Sequence, residues 1–137
     1  MFDESDNSPE EIDPFLKDAI LIWLVENCNQ TNAPLGLTLL VGGSIVTGIL
    51  ISGKSYIDGV TSELNEAGEY AVARYYREFG EEVYEDSSPE DEQVIPEMIH
   101  LKDAKILTGS LVRSIGWWRG KISSIDGHSI GVLKHNN

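Results

Sequence analysis

Few residues of this 137-residue chain could carry out chemistry, and their spacing argues against most of it. The histidines His100, His128 and His135 are scattered, and the single cysteine, Cys28, forms no HxxH, CxxC or Cys-His pattern with them. Zinc sites need such paired ligands, so no metal site is expected. Ser123, Ser124, Asp126 and His128 bring a hydroxyl, a carboxylate and an imidazole close together in sequence. A nucleophilic triad needs an oriented, partly buried set, whereas neighbouring turn residues point into solvent. Gly42-Gly43 and the other glycines make neither a GxGxxG nor a P-loop pattern, so nucleotide binding has no support. The carboxylates crowd into polar stretches, where no low dielectric could raise a pKa for acid catalysis. No catalytic residue, cofactor or metal is expected, and the chain reads as something other than an enzyme.

What remains is an aromatic and cationic run, Trp117-Trp118-Arg119-Gly120-Lys121. On a strand successive side chains face opposite ways, so either one indole is in the core and the other faces a partner, or both rings pack, under the helix and its insertion. An outward Trp beside Arg119 has the composition of an interface hot spot. The candidate interaction surface is therefore Trp117, Trp118, Arg119 and Lys121, joined by Tyr75 and Tyr76 from a helix earlier in the chain.

This run stands out because the protein has a formal net charge of −13. The acids are concentrated: residues 1–13 and 78–92 hold 14 of the 23, with no Lys or Arg among them. From residue 93 onward there are 3 acids against 6 bases. Acid confined to a tail and a loop suits solvated, self-repelling segments or salt-sensitive interaction tails. A saline cytoplasm fits less well, because halophilic acidity usually covers the folded surface too. One cysteine cannot form an internal disulfide, which points to a reducing compartment. The first 13 residues are acidic, the reverse of a secretory leader, and the apolar run Ala19–Val25 is too short to span a bilayer. A cytoplasmic protein with no membrane contact is expected.

The elements that must position the aromatic run follow from periodicity. Residues 1–12 read as a disordered acidic tail, and 13–137 as a single domain. Asp13-Pro14 reads as N-cap and first turn of a helix over Phe15–Asn27, with Trp23 in its buried stripe. Leu35–Val41 and Ser44–Ser52 alternate around Gly42-Gly43 as a hairpin, with Ile45, Thr47, Ile49 and Ile51 on one face. Ser55–Phe79 reads as one amphipathic helix, weakened by Gly59 and Gly68, with Gly80 as its C′ residue. Glu81–Glu92 is expected to be a loop.

Met98–Leu101 and Lys105–Leu107 make a third strand region bent near Asp103, and Thr108–Ser114 a polar connection. Residues 117–133 read as two strands joined by a type I′ turn at Asp126-Gly127. The expected fold is α+β: a small, partly open five-stranded antiparallel barrel behind an N-terminal helix, with a helical and acidic insertion over about residues 53–97. Gly48, Gly120 and Gly131 fit the bends such a barrel needs.

Two families share these spacings. Gly43-x-x-x-x-Gly48-x-Leu50, Leu101-x-Asp103-Ala104 and Arg119-Gly120-x-Ile122-x-x-Ile125 resemble the signatures of the Sm-like fold. That resemblance implies a bent small barrel (Sm-like or SH3-like) and, as one alternative, a ring that binds nucleic acid. The implied RNA loops match poorly: an insertion replaces the first, and Met98 stands where the base-contacting Asn would be. A net charge of −13 also opposes a polyanion.

Ile99-His100-Leu101-Lys102-Asp103-Ala104-Lys105-Ile106, Trp118-Arg119-Gly120-Lys121-Ile122 and Ile125-Asp126-Gly127-x-x-Ile130-Gly131 resemble the gas vesicle accessory family GvpU. Thr47-Gly48-x-Leu50-Ile51-Ser52 and Tyr56 fit it too. This resemblance implies a non-shell protein associated with gas vesicles in the cytoplasm, which influences how they cluster. Its implied partners are the shell protein, other gas vesicle proteins or copies of itself. A generic soluble interaction domain is the remaining alternative.

Overall fold

The computed structural model describes residues 17–84 and 95–134. The proposed helix start at Asp13-Pro14, the acidic tail and residues 85–92 of the acidic stretch lie outside the described residues. Three helices and five strands follow in the order α1 (Ala19–Thr31), β1 (Leu35–Val41), β2 (Ser44–Ile51), α2 (Gly53–Glu66), α3 (Tyr70–Val83), β3 (Met98–Thr108), β4 (Leu111–Lys121) and β5 (Gly127–Ile130), with a short 3-10 turn at Ile122–Ser124. The strands make one antiparallel sheet in the order β4-β3-β2-β1-β5, so β4 and β5 are opposite edges and the sheet does not close. The fold is α+β, as expected, with an open sheet in place of a barrel.

Asp18 caps α1: its Oδ1 accepts from the Leu21 amide at 3.0 Å, satisfying a donor the first turn leaves free. The described helix thus starts later than the Asp13-Pro14 signal implied. Leu21, Val25 and Cys28, spaced four and three apart, form its buried stripe together with Ile22. Trp23 is a correction, being 58% exposed on the opposite side beside Ile20. The stripe is set by which residues meet the sheet, and position 23 falls on the far side of the helix from it.

The Gly42-Gly43 hairpin forms with the expected strands, and Gly42 takes φ +61°. Leu37 and Leu39 are fully buried. On β2 the expected one-sided alternation fails because both faces are covered. Val46 and Leu50 join the α1 core, with Leu37, Leu39, Ile99, Leu101 and Ala104. Across the strand, Thr47 is 1% exposed and its hydroxyl is fully used. It lies 2.9 Å from Thr38 Oγ1, donates to the Leu37 carbonyl at 3.2 Å, and accepts from the Leu133 amide at 2.8 Å. The segment after β5 therefore crosses back over the far side of the sheet.

The expected single helix is two. Gly68, at φ +82°, breaks it, and α3 turns back along α2. Gly80 is not a terminator: it is buried inside α3 against Ile57. Glu81 and Glu82 likewise belong to α3 and not to a loop. The hairpin α2–α3 builds a second, smaller core on the face of the sheet opposite α1. There Ile51, Tyr56 and Ile57 are buried among Ile49, Val60, Tyr76, Phe79, Tyr84 and Trp117.

β3 is one strand with the foreseen bend. Asp103 has φ +53°, and the register to β4 shifts between Leu101 and Lys105. Residues 111–114 are not a loop, since β4 begins at Leu111 and pairs with Thr108. The largest correction concerns the end of the chain: β4 and β5 are not a hairpin. After Lys121 the 3-10 turn carries the chain to the other edge, where β5 pairs with β1. Neither Asp126 nor Gly127 takes the positive φ of a type I′ turn. Instead, the Asp126 amide donates to the Leu40 carbonyl at 2.8 Å and its Oδ2 accepts from the Gly42 amide at 3.0 Å. The residue that looked like a turn of its own holds the turn between β1 and β2.

Candidate interaction surface

The two tryptophans leave β4 on opposite faces. Trp118, paired with Leu101, packs onto the α1 core, its ring lying over Gly120. Trp117 faces α2, where a Cβ on Gly59 would come within 2.1 Å of the indole, so only glycine admits the ring. Its Nε1 donates to Glu63 Oε2 at 2.6 Å, and the Tyr56 ring meets it edge-on at 6.3 Å. Both rings are partly covered, one on each face.

Arg119 ties the same region together. Its guanidinium lies 5.4 Å from the centre of the Phe79 ring, and its Nε donates to Nε2 of His100 at 3.2 Å. That bond makes Nε2 the acceptor and assigns the imidazole proton to Nδ1. His100 is 2% exposed, 4.8 Å from the Tyr56 ring, with the Tyr84 hydroxyl 3.5 Å from Nε2. Burial first, and the Arg119 charge second, push the imidazole down to about 3. Burial, with help from nearby Tyr76, pushes the Tyr56 phenol up to about 12. Near neutral pH the imidazole stays neutral and the phenol protonated. The cluster acts as a joint that fastens α2–α3 to β3 and β4.

The expected surface residues are thus divided. Trp117 and Tyr76 belong to this joint, and Arg119 joins it through Phe79 and His100. Trp118 lies on the other face. Lys121 and Tyr75 stand in solvent, Tyr75 at 69% exposure. Sequence reasoning missed His100, although its place between the aliphatic Ile99 and Leu101 on a strand buried on both faces was a usable sign. It also missed the exposed pair Ile20 and Trp23, a spacing of three that puts both on one helix face.

Two of the residues weighed for catalysis, His128 and Asp126, make contacts between elements. His128 Nδ1 lies 2.6 Å from Asp18 Oδ2, joining β5 to the cap of α1, and Asp126 holds the Gly42 turn. Cys28 is buried, its thiol raised by burial and directed at the Leu50 carbonyl. Among the described residues no group of His, Cys, Asp and Glu could hold a metal ion, and no helix is long and apolar enough to cross a membrane.

The chain was compared with known proteins. No curated protein and no solved structure matches it. A family model does, described as gas vesicle protein GvpU-like, and it matches residues 18–133. That span runs from the Asp18 cap through the sheet and both helix layers to Leu133, whose amide Thr47 holds. The chain belongs to the GvpU-like family of gas vesicle proteins.

Proposed function

We propose that this protein is a non-enzymatic gas vesicle accessory protein. It contacts vesicle proteins or its own copies in the cytoplasm and influences how vesicles cluster or assemble. The observation that carries this reading is the family match over residues 18–133. Exposed apolar side chains on three elements support a contact role: Ile20 and Trp23 on α1, Tyr70 and Tyr75 on α3, Leu111 and Ile115 on β4. The acidic blocks at residues 1–13 and 78–92 tune those contacts electrostatically. The Sm-like likeness of the sheet belongs to the same proposal, supported by the leading helix and by the bend at Asp103.

The test is to centrifuge purified vesicles with the full chain, or with a chain lacking residues 1–13, across a salt series. The full chain is expected to travel with the vesicles, and removal of the acidic tail to change how salt affects that binding. A chain that stays in the vesicle-free fraction at every salt concentration would overturn the reading. Identical salt curves for the two chains would reject the tail's role.

A further inference from the structure

The two edges of the sheet are unequal. β5 has four residues and pairs with β1, and just beyond it the Gly131 amide is tied to the Gly36 carbonyl at 2.8 Å. β4 has 11 residues and, among the described residues, pairs only with β3. Among the described residues its outward amides and carbonyls make no hydrogen bond. Such an edge is a template for another strand, and proteins usually shorten or cover it. Here the half from Leu111 to Ile115 lies open, with Leu111 65% and Ile115 38% exposed.

Charge makes this edge selective. The hairpin from Met98 to Lys121 carries five bases (Lys102, Lys105, Arg113, Arg119 and Lys121) and one acid, Asp103, within a protein of net charge −13. Lys105 and Arg113 stand on neighbouring strands beside the open half: Lys105 pairs with Ser114 and Arg113 with Ile106, so the two bases project from opposite faces of the sheet and an added strand meets one on each face. Both are exposed, and among the described residues neither has an ion-pair partner. Pairing β4 with β4 of a second copy would bring like charges together, which destabilises a ladder, whereas an acidic strand would meet opposite charges. A nucleic acid fits less well, because the edge offers backbone donors and acceptors and no stacking platform. Both tryptophans of β4 are packed inward.

We propose that the outer edge of β4 over Leu111–Ile115 binds an extended acidic peptide by strand addition. Backbone hydrogen bonds supply the register, Leu111 and Ile115 the apolar contacts, and Lys105 and Arg113 the preference for acid. The inference rests on edge geometry and charge and not on the vesicle reading. The full chain is titrated at low salt into a fluorescein-labelled Glu-Val-Glu-Glu-Val-Glu-Glu peptide, which as a strand carries acid on both faces, and followed by anisotropy. Hydrogen exchange of the β4 amides is measured alongside.

The expected result is saturable binding that slows exchange in β4 and weakens about tenfold in K105E/R113E. Binding is also expected to vanish when alternate peptide amides are N-methylated on one edge. The N-methylated peptide tests the edge without altering the protein, so a misfolded variant cannot hide a failure. No binding, equal binding of a Lys-Val peptide, undiminished binding of the N-methylated peptide, or displacement by an RNA oligomer at lower concentration would each overturn the proposal. Vesicle binding, measured separately, would stand or fall on its own.

Discussion

His100 is the residue whose surroundings make the sharpest claim. Its imidazole is held at about 3, far below its ordinary 6.5, by burial and by Arg119. A folded value below the unfolded one contributes stability that is complete above about pH 6.5 and is lost as pH falls toward about 3. In this window the chain is expected to lose up to about tenfold in its folding constant per pH unit relative to His100→Asn, which cannot take up that proton. Urea unfolding of both chains at a series of pH values checks this, and parallel curves would contradict it. Gly59 makes a steric claim. Gly59→Ala gains about 1 kcal/mol of helix propensity but drives a methyl into the Trp117 ring, an overpacking that costs about 1–3 kcal/mol and more in a rigid site. The expected outcome is a lower urea midpoint with a changed near-ultraviolet Trp signal; a stabilised variant would show that the indole is not seated there.

Elements succeed or fail by where their covering layer lies. Gly68 at φ +82° is the hinge between α2 and α3, and nothing lies within 4 Å of a Cβ placed there. Gly68→Ala therefore tests backbone strain alone and should cost about 1–2 kcal/mol, with Gly68→Asn costing less because Asn tolerates the left-handed region. Equal midpoints for the three chains would mean that the turn does not need that conformation. The β1–β2 hairpin and the bend at Asp103 were legible in sequence because both are local, set by turn residues and strand alternation. The two-helix hairpin was half legible: Gly68 was noticed as a weakness but not as a break. The Asp126-Gly127 pair misled because its local turn signal is identical whether the chain reverses there or the Asp side chain serves another turn. Only the pairing of β5 with β1, a contact across some ninety residues, separates the two.

At the scale of the molecule, the candidate surface was legible in composition but not in arrangement. Trp117-Trp118-Arg119 marks a place where two cores meet on one strand, with Trp118 closing the α1 side and Trp117 and Arg119 fastening the α2–α3 side. The surfaces left open are elsewhere, at Ile20 and Trp23, at Tyr75 and along the edge of β4. No sequence periodicity reveals an edge strand, because edge position depends on strand order. The charge pattern was readable in composition, and its sense emerges from topology: Arg113 on β4 and Lys105 on the adjacent β3, without an ion-pair partner among the described residues, lie beside the long edge that the described strands leave open. If this protein acts on gas vesicles, adding it to them must change how they associate. The most direct measurement is the size distribution of purified intact vesicles by light scattering, before and after the full chain is added. The account predicts a dose-dependent and salt-sensitive shift in cluster size; a distribution unchanged at every dose and salt concentration would contradict it.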